Sequence, residues 1–292
     1  VNRLLIVDGH AYAYRAFHAI RELRSPSGQP TNAIYGFVKM LEKMRQAIGP
    51  THLIVVWDGG LSVERLKLLP DYKAQRPAMP ADLSPQLDGL VNYLKAAGIA
   101  QFCGDGIEAD DYIASLARKA DEASWNVVVA SSDKDFMQLV SARIGLLNPN
   151  DKSGAVWTGE QVFAKTGVAP ERVVDWLALM GDAVDNIPGV PGVGPKTAAD
   201  LIAQFGAVEN VLARVNEVRS ERLRLALQNA AADIRRNLDL VRLPQLPCDF
   251  TPEKLAVGQI DRETLAELFV GWGFKGMLAA LQATKEEQTE LI

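Results

Sequence analysis

Apolar runs that stop abruptly at an acid recur along the first half of the chain. "RLLIVD" (3–8), "HLIVVWD" (52–58) and "NVVVASSD" (126–133) are short, β-branched and continuous. Continuous rather than alternating apolar positions predict strands covered on both faces. "GIAQFCG" (98–104) is a weaker run of the same kind. Between these runs, helical patterns lie over 33–48, 83–97 and 109–123. Strands alternating with helices predict a parallel sheet in an α/β layer fold. After about residue 157 the strand signal ends. "GEQVFAKTG", "PERVVDWLALMGD", "GPKTAADLIAQFG" and "SERLRLALQNAAADIRRNLDLVRL" are helix-like and punctuated by Gly or Pro. The predicted organisation is an α/β core over 1–170 and a helical region over 171–292. The polar tail "ATKEEQTELI" is expected to fray. The segment 59–85, with four prolines and mixed charge, fits neither pattern. Connections of that length are usually functional or disordered.

The 292 residues suffice for about two domains, and 48% apolar with 23% charged residues is ordinary for a globular protein. No apolar run approaches the length that spans a bilayer, so no membrane partner is expected. "LLIV" near the start is cut off by Asp8 and is too short for a signal peptide. Cys103 and Cys248 form no CxxC or Cys/His cluster, and His10, His18 and His52 show no ligand spacing. A zinc site and a disulfide framework are not expected, and a cytoplasmic location is.

The acids change the picture. Asp8 and Asp58 end two of the predicted strands. Glu108, Asp110 and Asp111 follow a third, and Asp133 and Asp135 a fourth. In open parallel sheets ligands bind beyond the carboxyl ends of the strands. Each acid alone is also a reasonable helix cap. Together they would repel strongly unless neutralised, and few bases follow these strands. A hard divalent cation such as Mg²⁺ is the natural neutraliser. With Asp182 and Asp185 from the helical half the set suits two ions and phosphoryl transfer. The net charge of −5 fits this reading: the 36 acidic residues less these nine leave 27 against 31 basic ones. Arg214, Arg219, Arg222, Arg224, Arg235 and Arg236 read either as a phosphate-tracking face or as an ordinary solvated helix surface.

Seven residues beyond Asp185 comes "GVGPK", a glycine turn feeding a helix. Gly192 and Gly194 would let backbone approach a phosphate, the helix N–H groups would face it, and Lys196 would add a charge. A cation at Asp182 and Asp185 would reconcile the two, with one piece gripping a polymer backbone beside the piece that helps cut it. The spacing is not that of a P-loop.

These residues resemble the bacterial 5′→3′ exonuclease and flap endonuclease family, including the 5′-nuclease domain of bacterial DNA polymerases. The likeness runs through "LIVDGHAYAYRAFHA", "VVWDGG", "DYKAQRPAMP", "GIEADDYIASLA", "SSDKDFMQLV" and "LALMGDAVDNIPGVPGVGPKTA", with a weaker "LAELFVGWGFKGML", in order along nearly the whole chain. It implies a PIN-like parallel-sheet nuclease core with two Mg²⁺ or Mn²⁺ ions on Asp8, Asp58, Glu108, Asp110, Asp111, Asp133, Asp135, Asp182 and Asp185. It also implies a helical arch at about 59–85, with Tyr72, Lys73 and Arg76 facing the substrate: the two bases serving the chemistry and Tyr72 stacking on a base of the strand. A helix–three-turn–helix motif at about 186–206 would hold duplex backbone and a K⁺ ion. The implied partner is DNA with a 5′ flap, nick or free 5′ end, with a DNA polymerase acting nearby and the nuclease a monomer. Val1 in place of Met is expected to reflect a trimmed start, and the chain to be a free-standing nuclease or an excised domain. The alternatives are a catalytically impaired branched-DNA-binding protein and a PIN-type ribonuclease. A haloacid-dehalogenase phosphatase would need an acid where His10 stands.

Overall fold

The computed structural model describes residues 2–289, side chains of 284–289 excepted; Val1 and the end of the tail expected to fray lie outside the described residues. The elements run β1 (Arg3–Asp8), α1 (Gly9–Ala19), α2 (Asn32–Ile48), β2 (His52–Trp57), α3 (Val63–Leu68), α4 (Ser84–Ala96), β3 (Ala100–Cys103), α5 (Ala109–Glu122), β4 (Asn126–Ala130), β5 (Ile144–Leu147) and β6 (Val156–Trp157). Helices follow: α6 (Gly159–Thr166), α7 (Val173–Met180), α8 (Pro195–Phe205), α9 (Val208–Ala213), α10 (Glu221–Asn229), α11 (Ala231–Val241), α12 (Pro252–Leu255), α13 (Arg262–Trp272) and α14 (Lys275–Thr289). The class is the expected α/β with a helical second half.

Two compact units are formed, each from separated pieces of chain. The first comprises residues 1–57, 78–103 and 251–292, the second 58–77 and 104–250. In the first, β1, β2 and β3 pair in parallel, with β2 between the other two. After its first residue β1 is buried at every position, as the continuous apolar run requires. A buried amide pair ties its helices. Asn32 donates to the Phe17 and Ile20 carbonyls at the end of α1 (both 2.8 Å). Gln86 of α4 accepts from the Ala33 N–H (2.7 Å) and donates to Asn32 Oδ1 (3.0 Å).

In the second unit β4 and β5 are parallel, and β6 returns antiparallel to β5. This departs from the purely parallel sheet expected. The loop from Asn148 to Ala155 is too short for a crossover connection, so the chain reverses instead. The long helical stretch read over 220–243 is two helices, α10 and α11, parting at Ala230. Segment 59–85 is also more regular than its prolines indicated. Ser62 caps α3, and tight turns follow, Tyr72 N–H to the Leu69 carbonyl at 2.9 Å and Arg76 N–H to the Lys73 carbonyl at 3.1 Å.

The turn after α7 places two candidate site acids. Asp182 and Ile187 exchange both backbone hydrogen bonds, at 2.8 and 2.7 Å. Gly181 sits at φ 72°, and a methyl group there would collide with the backbone of Ile187 and Gly189. Asn237 of α11 braces the far side, donating to the Ala178 and Pro188 carbonyls. Gly181→Ala is therefore expected to cost about 1–3 kcal/mol, from combined left-handed strain and overpacking. A urea melt checks this; an unchanged midpoint would show that the turn yields freely.

Candidate active site

Apart from Asp8, every residue expected at the site belongs to the second unit. Asp8, in the first, is 6% exposed and caps α1, accepting from the Ala11 N–H at 3.0 Å. In the second unit Asp58 is exposed, and its Oδ1 accepts the Ala109 N–H (2.8 Å), the first donor of α5. The Gly59 N–H donates to the Ile107 carbonyl (3.0 Å), and a side chain on Gly59 would strike Gly104. This close crossing holds Asp58 at the start of α5, where Glu108 is the N-cap residue and Asp110 and Asp111 lie in the first turn.

Asp133 follows β4 and opens a short 3₁₀ turn, accepting the Asp135 N–H at 2.9 Å. Asp135, Asp182 and Asp185 each bring a carboxylate oxygen within 4.8 Å of the others. No hydrogen-bond donor reaches Asp135 Oδ1, although it is buried. Burial and the neighbouring charges of Asp133, Asp182 and Asp185 hold the Asp135 carboxyl well above the usual carboxylate range. Asp133 is pushed the same way, by burial first and then by Asp185 and Asp182.

Cations reach Glu108, Asp110, Asp111, Asp182 and Asp185, so a metal is not the sole neutraliser that was expected. Arg65 bonds Glu108 Oε1 (3.0 Å) and grips both oxygens of Asp111 (2.9 and 2.7 Å). Lys73 bonds Glu108 Oε2 and lies 3.9 Å from Asp185 and 4.0 Å from Asp110. Arg76 pairs with Asp185 (2.6 Å), and Lys134 with Asp182 (2.7 Å). Burial would raise the Glu108 carboxyl, but Lys73 and Arg65 together hold it below the usual range. Burial would lower Lys73, yet Asp110, Glu108 and Asp185 hold its ammonium above its ordinary value.

Two assignments change in consequence. Asp111, expected as a metal ligand, has both oxygens committed to Arg65 and is 4% exposed; in this structure it is an ion-pair partner. Tyr72, expected to stack on a base, is 3% exposed, with its hydroxyl donating toward Glu108 Oε2 (3.2 Å) and Asp185 Oδ2 (3.3 Å). Its ring backs Lys73, the ammonium lying 4.9 Å from the ring centre. Lys73 itself holds a left-handed φ of 56°, fixed by its N–H bonding the Asp185 carbonyl (3.0 Å). A non-glycine residue held there marks backbone over-determined by its surroundings.

The glycine turn is built differently from the acid cluster. Gly192 has φ 81°, which favours glycine, whereas Gly194 is extended and opens α8 ahead of Pro195. Open space surrounds both positions where a side chain would begin, so the protein's own packing does not require glycine at 194. Lys196 is exposed in the first turn of α8. Of the arginines read as a possible phosphate-tracking face, Arg214, Arg235 and Arg236 already pair with Glu217, Glu209 and Asp233.

Sequence reasoning missed Arg65, because its acidic partners lie 43 and 46 residues away and no local pattern announces such a pair. The only available signal was a basic residue inside a short amphipathic stretch between a capping Ser62 and Pro70.

Comparison with known proteins gives the family. Residues 3–167 match the 5′-3′ exonuclease N-terminal resolvase-like domain, and residues 168–263 the 5′-3′ exonuclease C-terminal SAM fold. A 5′-3′ exonuclease of Aquifex aeolicus is 39% identical over 95% of this chain and 94% of its own length. DNA polymerase I of Bacillus caldotenax is 37% identical over 98% of this chain, which spans only 33% of that protein. Among solved structures, a bacteriophage T5 5′-exonuclease with bound zinc is 25% identical, with a TM-score of 0.69 over 93% of this chain and 100% of that one. A bacteriophage T5 flap endonuclease with DNA and metal ions shares the fold at 23% identity and a TM-score of 0.68, covering 93% of this chain and 100% of that one. The chain therefore belongs to the 5′-3′ exonuclease family.

Proposed function

We propose that the protein hydrolyses DNA phosphodiesters at 5′ flaps, nicks or free 5′ ends with two divalent ions, Mg²⁺ or Mn²⁺. The observation that carries this reading is the orphaned, buried Oδ1 of Asp135, whose carboxylate gathers with those of Asp182 and Asp185. Uncompensated buried carboxylate oxygen of this kind suits a hard cation. Asp135, Asp182 and Asp185 would hold one ion with Asp133 beside them; Asp58 and Asp110 are the candidates for the other, since Glu108, like Asp111, has both oxygens engaged, by Arg65 and the Ser62 N–H on one and Tyr72 and Lys73 on the other. Bound divalent ions supply a water of lowered pKa and neutralise charge on the scissile phosphate. A K⁺ ion at the turn 186–206 is proposed on family likeness alone.

The chain's own cations complete the site. Lys73 is buried against Glu108, while Arg76 is half-exposed against Asp185. Arg76 is open to an approaching phosphate, whereas Lys73 would meet one only if its ammonium turned from Glu108. We assign them to the extra negative charge that develops in the transition state. Lys196 and the exposed turn at Gly192 and Gly194 would grip the duplex backbone. We further propose, on family likeness, a monomer acting in the cytoplasm beside a DNA polymerase; Cys103 and Cys248 form no disulfide, and among the described residues no helix is long and apolar enough to cross a membrane.

Metal dependence is the first test. Chelation is expected to abolish cleavage of a flapped duplex, and Mg²⁺ or Mn²⁺ to restore it; full activity in excess chelator would contradict the two-ion reading. Lys73→Ala is expected to slow single-turnover cleavage by about 10²-fold, with a far smaller change in affinity. Equal losses in rate and affinity would make Lys73 a uniform binding contact.

The Asp135 carboxyl makes a prediction that needs no substrate. Its folded pKa is raised, so its charged form destabilises the metal-free fold above the unfolded Asp pKa of about 3.9, and this penalty disappears at lower pH. Asp135→Asn should therefore raise the melting temperature of chelated protein at pH 8, and the advantage should shrink toward pH 4. A constant difference across that range would show that burial of charge is not the cause.

For the glycine turn, Lys196→Ala is expected to lower the salt slope of duplex binding by about one unit. An unchanged slope would remove Lys196 from the phosphate-contacting set.

A further inference from the structure

Arg65 belongs to neither the metal ligands nor the DNA-contacting residues proposed above, yet its side chain donates more hydrogen bonds than any other cation described here. It is 6% exposed, and each of its nitrogen atoms is engaged. Nε donates to the Leu240 carbonyl (2.9 Å), and Nη1 to Glu108 Oε1 (3.0 Å) and Asp111 Oδ2 (2.9 Å). Nη2 donates to Asp111 Oδ1 (2.7 Å) and, more weakly, to the Arg242 carbonyl (3.4 Å). Five N–H groups thus find five acceptors, and the planar fork allows no rotation that would keep them all. The ring of Tyr72 closes one face, 5.9 Å from the guanidinium carbon.

What Arg65 holds bears on the chemistry. Glu108 has two oxygens with separate duties. Oε1 accepts from Arg65 and from the Ser62 N–H (3.0 Å), and Oε2 accepts from Tyr72 and Lys73. Locking Oε1 fixes the rotation of the carboxylate and so the direction of Oε2. The Lys73 backbone is already pinned through Asp185, so its ammonium is the remaining free end, and Glu108 Oε2 is its closest anchor. Arg65 also supplies the charge that lets Glu108 and Asp111 stand as neighbours away from water.

We propose that Arg65 is a positioning residue for the nuclease reaction: by locking Glu108 Oε1 it sets where Lys73 presents its ammonium to the scissile phosphate. The inference rests on the role given to Lys73 above, and the test separates the two.

The test is a double-mutant cycle on single-turnover cleavage of a flapped duplex, with R65K, K73A and the double variant. Lysine keeps the charge beside Asp111, but one nitrogen cannot span Glu108, Asp111 and the Leu240 carbonyl together. R65K is expected to slow cleavage about 10–50-fold while the dissociation constant changes by less than about 3-fold. In the K73A background the same substitution should cost less than about 2-fold, because the group it positions is gone. Thermal melts accompany all variants, and R65Q is run beside R65K as the harsher change. If R65K adds its full factor to K73A, or leaves the wild-type rate unchanged, the inference fails. If K73A itself loses nothing, the reading of Lys73 fails instead. Loss of a cooperative melt in both R65K and R65Q would make Arg65 a folding residue and would likewise overturn the proposal.

Discussion

Carboxylates drawn together away from water repel one another and lose their hydration, and the buried ion pairs of the second unit offset that cost. Arg65 offsets it for Glu108 and Asp111, Lys73 and Arg76 for Asp185, and Lys134 for Asp182. Asp133 and Asp135 pair with none of these bases: both carboxyls are pushed toward the protonated form, and one oxygen of Asp135 stays buried with no donor. A site neutralised everywhere by side chains would be an ion-pair network and nothing more. A site with one buried oxygen held uncompensated beside two further acids keeps an attraction for a small, hard cation.

The same constraint explains the glycines. To bring Asp182 and Asp185 back toward the turn after β4, the chain must reverse immediately after α7, and Gly181 and Gly189 allow the two backbones to touch. At the start of α5, Gly59 allows a comparable crossing that sets Asp58 against the Ala109 N–H. Acids placed by helix starts and tight turns need no long side-chain reach, and so lose little rotamer freedom when a ligand arrives.

Much of this was legible in the sequence. The strands β1, β2 and β4 were plain because burial on both faces leaves an uninterrupted apolar run, and their ends carried the acids. By contrast, β5 was hidden by the glycine in "IGLL", and β6 is two residues long, below the length at which any period shows. The acids were identifiable as candidates, but their counter-charges were not. Arg65 meets Asp111 across 46 residues, and Arg76 meets Asp185 across 109, so only the folded chain reveals that these bases are spent on these acids. The enclosure of Tyr72 and Asp111 is not legible from residue type, because burial depends on packing that no local pattern encodes. Gly194 shows the converse, a glycine whose backbone and surroundings make no demand for it.

The central claim is that this acid cluster cuts DNA from a 5′ end. A product map on one flapped duplex, labelled at the 5′ end of the flap and incubated with Mg²⁺, reports activity, polarity and position together. The account requires short labelled products released from the 5′ strand at or next to the junction, with the template strand intact. Cleavage confined to single-stranded RNA, or binding of the flapped duplex with no cut in either strand, would contradict it.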